Sequence, residues 1–137
     1  MHILLRGIQR GLTVTWELGI KVVLPAYIIV SLLNYTPVIK WISNLLEPLM
    51  HIIGLPGEAA LPLVLGALVS FYAGVGALVP LGFDTKELTI MAAFILCAHD
   101  LPLESLIGKK SGSRVSSLIM VRLLAAVGLA MFINQII

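Results

Sequence analysis

The sequence predicts an all-α integral membrane protein with about three membrane-crossing helices, one amphipathic helix in the membrane interface and one re-entrant helical hairpin. Composition is the first reason. Of the 137 residues, 59% are hydrophobic and 12% are charged, whereas a soluble domain carries about 25% charged residues. The spacing of the charges is the second reason, because no charge occurs from Ala59 to Phe83 and ~20 apolar residues can cross a bilayer. We expect one membrane domain over residues 1–137.

The first predicted span covers residues 11–33. Glu17 and Lys21 lie four positions apart within it, so they share one helical face and can form an ion pair. We interpret this pair as structural.

An amphipathic helix is predicted over residues 37–53. Its polar residues recur every three or four positions and form one stripe, which makes the helix too polar on one side to span. We expect it to lie in the membrane interface with Trp41 as an anchor. A helix packed flat on a partner subunit is the alternative.

The uncharged stretch that follows is interrupted too often for one straight span. Three prolines and five glycines fall within residues 56–82. A helix from Gly57 to about Phe71 would be roughly 22 Å long, which is short of the ~30 Å hydrocarbon core. With residues 73–76 (Ala-Gly-Val-Gly) as the turn, the segment is predicted to be a re-entrant hairpin. A glycine-rich single span is the alternative.

The C-terminal part is predicted to contain an interrupted helix over residues 85–107 and a span over residues 113–136. Asp84 or Thr85 can cap the first of these helices. Pro102 interrupts it, because proline removes a backbone hydrogen bond and clashes with the preceding turn.

Polar residues and glycines at these two interruptions are the candidate solute-binding residues. They are Ser70, Tyr72, Gly74 and Gly76 at the hairpin and His99, Asp100 and Glu104 at the helix break. Hydroxyls and exposed amides can hold a polar solute, and ionisable groups at membrane depth commonly mark an ion or proton pathway. The alternatives are close helix packing at the hairpin and an interfacial position at the break, where Asp100 only caps the half-helix. Nothing in the spacing fixes three metal ligands, so a metal site stays undetermined.

Two further charges are interpreted as structural. Arg122 lies near the middle of the last span, where an unpaired arginine costs about 2.5–3.5 kcal/mol. We therefore expect it to pair with Glu104 or Asp100, or with a partner chain. Glu58 near the start of the hairpin helix complements the helix dipole. No catalytic triad, phosphate loop or metal-spaced Cys/His cluster is present in the sequence, and no enzyme is predicted.

The basic residues predict the orientation of the chain in the membrane. With a re-entrant hairpin, Arg6, Arg10, Lys109, Lys110 and Arg114 fall on one side and Lys40 and Lys86 on the other. Cytoplasmic loops are enriched in lysine and arginine, so the N-terminus is predicted to be cytoplasmic and the C-terminus external. The net charge of +2 is too weak to indicate a nucleic acid polymer as partner.

The order of these elements resembles the nucleoside-recognition or Gate domain. The resemblance rests on "GLPGEAALPLVLG" and "SFYAGVGAL" in the hairpin and on "AHDLPLESLIGKKSG" at the interrupted helix, and it extends from about Gly11 onward. The domain occurs in concentrative nucleoside transporters, in the membrane part of the ferrous-iron transporter B and in small bacterial proteins such as the spore maturation proteins A and B. The last of these imply a multi-pass protein of the bacterial inner membrane.

The resemblance also implies a function. In that family two units of inverted topology form one transport core and hold solute between hairpin tips and broken helices. This chain is then expected to supply half of such a core and to move a small polar solute by alternating access. A coupling ion, Na⁺ or H⁺, stays undetermined, and no other cofactor is expected. A non-transporting scaffold or accessory subunit of a larger membrane complex is the rival interpretation.

The expected partner is an oppositely oriented Gate-like subunit. The biased distribution of basic residues favours a heterodimer over an antiparallel homodimer. One departure from the family concerns the solute. The nucleoside transporters carry a Gln-Thr-Glu type cluster at the hairpin tip, where this sequence has Ala73, Gly74, Val75 and Gly76. The residues that read a nucleoside are therefore not carried over.

Overall fold

The computed structural model describes residues 2–112 and 114–137, and this part of the chain is helical with short connections and no strand. The α-helices are α1 (His2–Leu18), α2 (Leu24–Asn34), α3 (Pro37–Ile52), α4 (Ala60–Leu68), α5 (Phe71–Leu78), α6 (Thr85–Ala98), α7 (Leu101–Lys110) and α8 (Val115–Ile136). A π-helical turn, Gly19–Val23, joins α1 to α2. The predicted all-α membrane class is confirmed.

Three continuous or nearly continuous helices are long and apolar enough to cross a membrane. They are Leu4–Asn34, Thr85–Lys110 and Val115–Ile136. The predicted span 113–136 corresponds to the last of these, and residue 113 lies outside the described residues, as does residue 1 of the predicted domain.

The first helix is longer than the predicted span 11–33. Its 31 residues extend roughly 46 Å at 1.5 Å per residue, which exceeds the ~30 Å hydrocarbon core. Residues 4–17 are exposed throughout. The π turn ends at Val23, two residues before Pro25. A wider turn accommodates a proline, which cannot donate a backbone hydrogen bond and clashes with the preceding turn of a regular helix.

Helix α3 covers the predicted amphipathic segment. Ile39 and Ile53 are buried against the rest of the chain, whereas Trp41 is 69% exposed. The chain then bends by 97° between α3 and the helical segment that begins at Gly57. The location of α3 in the membrane interface stays a prediction.

The predicted hairpin folds back on itself, so the alternative of one straight span is wrong. Helices α4 and α5 pack against each other and are joined at Val69 and Ser70. The Ser70 hydroxyl accepts a hydrogen bond from the Ala73 backbone N–H at 3.1 Å and caps α5. Whether the hairpin enters and leaves the bilayer on one side stays a prediction.

The predicted position of the turn, residues 73–76, is wrong. These residues lie inside α5, and neither Gly74 nor Gly76 has a positive φ. The two glycines instead permit close backbone contact. A Cβ at Gly74 would lie 2.8 Å from the Gly66 Cα of the other arm, and a Cβ at Gly76 would lie 2.6 Å from the Val23 carbonyl oxygen of the π turn.

The largest buried cluster lies where the hairpin packs against α6 and α8. Leu63 of α4, Ile90, Met91 and Ile95 of α6, and Ala130 of α8 contribute to it. At the start of α6, Asp84 is the N-cap and forms a reciprocal capping box with Glu87, as the sequence predicts for Asp84. This core fixes the hairpin against the interrupted helix.

The interrupted helix is broken at His99 and Asp100, two residues earlier than Pro102. Asp100 adopts a left-handed conformation with φ +51°, and Pro102 occupies the first turn of α7, where proline is well tolerated. Helix α7 continues to Lys110, three residues beyond the predicted end at 107.

Candidate functional site

The hairpin turn and the helix break lie against each other. The Asp100 backbone N–H donates a hydrogen bond to the Gly66 carbonyl at 3.3 Å. Gly66 lies near the end of α4, where the backbone carbonyls receive no hydrogen bond from an N–H group of the same helix. The rings of Phe71 and His99 also meet edge to face with centroids 6.1 Å apart. Two interruptions that are distant in sequence therefore form one region.

The hairpin residues predicted to bind solute are placed in different surroundings. Ser70 lies in the turn, half-buried, with its hydroxyl oxygen engaged in capping α5. Tyr72 is 42% exposed and packs edge to face on Phe71 at 5.5 Å. Gly74 and Gly76 are buried at the helix contacts described above, so these two glycines support the packing of the hairpin and do not form its tip.

His99 and Asp100 are both half-buried at the break. His99 Nδ1 lies 3.1 Å from the Leu96 carbonyl oxygen, a contact that only a protonated Nδ1 can satisfy as a donor. Asp100 occupies the N-cap position of α7 but makes no side-chain capping hydrogen bond. The interpretation that its carboxylate caps the half-helix is therefore wrong.

Arg122 connects the two halves of the interrupted helix from α8. Its Nη1 lies 2.6 Å from Glu104 Oε2 in the first turn of α7 and donates to the Cys97 carbonyl at 3.5 Å in the last turn of α6. The predicted pairing of Arg122 with Glu104 is confirmed. The contacts are favourable because a helix C-terminus attracts a cation and a helix N-terminus attracts an anion.

The predicted residues at the break thus separate into two groups. Glu104 faces Arg122 across the contact between α7 and α8, while the His99 ring and the Asp100 backbone N–H face the hairpin. Within residues 2–112 and 114–137, no three His, Cys, Asp or Glu side chains are grouped so that they could hold a metal ion together.

The Glu17–Lys21 pair is present as predicted, with Lys21 Nζ 3.0 Å from Glu17 Oε1. Its surroundings could not be foreseen. Lys21 borders a groove of about 310 Å³ between α2 and the hairpin, where Val69 and Ala73 form the opposite wall. The two charged side chains are 69% and 54% exposed. This ion pair therefore lies at the surface beside the hairpin turn.

Glu58 lies in the 3₁₀ turn Gly57–Ala59 that precedes α4, where its negative charge complements the helix N-terminus as expected. Sequence reasoning missed Gly66 and Phe71, which contact the break from the hairpin side. One signal could have located the turn, because serine is among the preferred N-cap residues and Ser70 precedes an uninterrupted helical stretch.

This arrangement brings hydrogen-bonding groups of both interruptions together. The N-termini of α5 and α7 begin at the two adjoining interruptions, and helix N-termini attract negative charge or acceptor groups. The Asp100 carboxylate and the His99 ring add an acceptor and a titratable group beside them.

Comparison with known proteins places the chain in a family. The model of the Gate family, described as nucleoside recognition, matches residues 20–137. The chain belongs to the Gate family. This Gate protein is 40% identical over 134 residues to the uncharacterized membrane protein YvoD of Bacillus subtilis, a match that covers 98% of the chain and 43% of YvoD.

A second relative of this Gate protein is the inner membrane protein YjiG of Escherichia coli K12. It is 36% identical over 76 residues, which cover 56% of the chain and 49% of YjiG. The Gate protein spans less than half the length of YvoD, and its match to YjiG covers about half of that relative. Both relatives are named as membrane proteins, in agreement with the apolar helices of this chain. No solved structure matches it significantly.

Proposed function

We propose that this Gate protein forms half of a membrane transport core that moves a small polar solute by alternating access. The observation that carries the proposal is the hydrogen bond from the Asp100 N–H to the Gly66 carbonyl, which joins the hairpin turn to the helix break. Transporters commonly build their midplane sites from discontinuous helices of this kind.

The exposure of the hairpin turn on its outer side is evidence that water or a partner protein covers it. Leu68 is 56% exposed and Val69 is 60% exposed, although the backbone is irregular at this point. Lipid cannot satisfy irregular backbone, which is tolerated at membrane depth only where protein or water covers it.

The exposed Glu17–Lys21 pair is further evidence that a partner contacts the face of the molecule that carries the hairpin turn. Charged side chains within membrane spans rarely face lipid, and Lys21 of this pair borders the groove that leads to Val69. The proposed partner is a second, oppositely oriented Gate-like unit, with the solute path between the two. The biased distribution of basic residues favours a heterodimer over an antiparallel homodimer.

The proposed solute contacts are Tyr72, His99 and Asp100, with Ser70 holding the turn in place. The family is described by nucleoside recognition, and nucleosides therefore belong in the set of solutes to be tested. Since the hairpin turn carries no amide or carboxylate side chain, other small polar solutes belong in it as well. A coupling role of Na⁺ or H⁺ is part of the proposal, with His99 and Asp100 as the titratable groups.

The proposal is tested by uptake of radiolabelled solutes into vesicles that contain the assembled protein, with Na⁺ or proton gradients imposed. We expect saturable uptake of at least one solute. Tyr72→Phe should raise its KM about 3–10-fold, the effect of losing one hydrogen bond. Tyr35→Phe is the matched control, because Tyr35 is 92% exposed between α2 and α3, and it should leave KM unchanged.

Assembly of the complex without flux of any tested solute would favour the rival function, a scaffold or accessory subunit. Equal effects of the two tyrosine variants on KM would remove Tyr72 from the solute site and leave the transport function standing.

A further inference from the structure

We infer that the turn between α7 and α8, together with the groove beside it, binds one anionic phospholipid. In this site the lipid phosphate lies at Lys109, Lys110 and Arg114, and an acyl chain follows α8 past Leu118 and Val121. The inference does not depend on the proposed transport function.

The basic cluster is the first observation. Lys109 and Lys110 end α7, and Arg114 precedes α8. All three are exposed, and none forms an ion pair within the described residues. The nearest acidic residue along α7 is Glu104, which is already engaged by Arg122. Among the described residues, these three positive charges are therefore left without counter-charges.

The groove beside the cluster is the second observation. One cavity of about 360 Å³ lies between α7 and α8 and includes Ile107, Ser111 and Leu118 in its wall. Another of about 430 Å³ runs along α8 from Arg114 to Val121 and Arg122. The cavities share Leu118 and Arg122. Arg114 of the basic cluster borders the groove, Leu118 and Val121 supply an apolar wall along α8, and the far end is the Arg122–Glu104 ion pair. The groove therefore offers an unpaired positive charge at its mouth and an apolar wall beside it, as an amphiphile requires.

The depth of these residues agrees with the position of a phospholipid. Helix α8 has 22 residues, roughly 33 Å, and matches the ~30 Å hydrocarbon core. Arg114 at its first end then lies at the level of the head groups, and Val121 lies roughly 10 Å deeper. Guanidinium and ammonium groups both bind phosphate oxygens strongly, and basic pockets beside membrane helices are a known form of lipid recognition.

Electron spin resonance tests the site with the full chain in phosphatidylcholine vesicles that contain a trace of spin-labelled lipid. The fraction of motionally restricted label is compared for phosphatidylglycerol and phosphatidylcholine. We expect a preference of about fivefold or more for phosphatidylglycerol, the gain that one basic side chain near the membrane surface can supply. The variant K109Q/K110Q/R114Q should reduce the preference towards one. Equal restriction of both lipids by the wild-type protein would overturn the inference.

Two controls distinguish a site from diffuse attraction to positive charge. The variant R6Q/R10Q removes two exposed cations of α1 away from the groove and should retain the preference. Val121→Trp fills the groove without changing charge and should reduce the preference, whereas Met120→Trp should not. Val121 and Met120 are both 63% exposed, and only Val121 borders the groove.

Three results contradict the lipid site. They are a loss in R6Q/R10Q as large as that in the triple variant, an unchanged preference in Val121→Trp, and full displacement of the restricted lipid by soluble glycerol 3-phosphate. The last would assign the basic cluster to a free phosphate ligand.

Discussion

At the scale of single residues, Arg122 makes the contacts whose loss should be most damaging. Arg122→Leu leaves the half-buried Glu104 carboxylate and the Cys97 carbonyl without their partner. We expect a loss of about 1–3 kcal/mol in the free energy of unfolding, the cost of stranding a partly buried charged group. Thermal unfolding of the purified protein and the yield of assembled complex measure the effect.

Lys40→Leu is the control, because Lys40 is exposed and forms no salt bridge among the described residues. It should change stability and assembly little. The double variant E104Q/R122Q removes both charges together. It should lose less stability than the sum of the losses in the single variants E104Q and R122Q. Additive losses would mean that the two side chains do not interact.

The glycines of the hairpin give a second prediction at this scale. Gly74→Ala and Gly76→Ala place a methyl group against backbone atoms, which cannot move aside as a side chain can. Each should cost about 1–3 kcal/mol of stability. For Gly66→Ala the nearest atoms to the added methyl group belong to the Ile95 side chain, at 3.1 Å, and a side chain can shift, so this variant should be milder.

Gly128→Ala is the matched control, since nothing lies within 4 Å of the added methyl group. Thermal unfolding compares the four variants. If the Gly74 and Gly76 variants are as stable as the Gly128 variant, the two arms do not pack as described.

At the scale of secondary-structure elements, the break between α6 and α7 depends on the left-handed backbone of Asp100. Asp100→Val places a β-branched residue at φ +51° and should destabilise the protein by about 1–2 kcal/mol. Asp100→Gly should not, because glycine adopts this conformation freely. Asp100→Asn retains the shape and should reduce uptake without affecting stability.

These three variants separate the two roles of Asp100. Unfolding temperatures report the backbone role, and uptake per assembled complex reports the carboxylate. Normal uptake by Asp100→Asn would exclude the carboxylate from the solute or ion pathway.

Some element positions could be predicted and others could not, for physical reasons. The fold-back of residues 56–82 follows from element length and proline spacing. Its turn could not be placed, because glycine serves both turns and close helix packing. Gly74 contributes to packing against α4, and the sequence does not show where α4 lies relative to it.

The pairing of Arg122 was predictable because an unpaired arginine in a bilayer is so costly. The contact of Asp100 with Gly66 joins residues far apart in sequence and carries no local signal.

At the scale of the whole molecule, orientation in the membrane is the main prediction. In a Cys97→Ser background, cysteines at Gly7 and Ser111 should react with a membrane-impermeant reagent from the cytoplasmic side, and one at Gln135 from the outside. All three sites are exposed, so accessibility depends on the membrane and not on protein packing.

Labelling of Gly7 and Ser111 from opposite sides would show that the chain crosses the membrane once more between them and would exclude a re-entrant hairpin. If this protein, expressed without any partner, forms an antiparallel homodimer, the preference for a heterodimer is wrong.

The hydrogen bond between the Asp100 N–H and the Gly66 carbonyl also affects how this protein responds to genetic screens. The donor and the acceptor both belong to the backbone, so most amino-acid substitutions at either position leave the bond in place. A deep mutational scan would therefore miss it unless proline were examined separately. At position 100 proline lacks the donor and has φ fixed near −65°, far from +51°. A map of folding stability, as distinct from uptake, should show position 100 tolerant of glycine and asparagine and intolerant of proline. A backbone ester there would weaken the bond while the side chain stays unchanged.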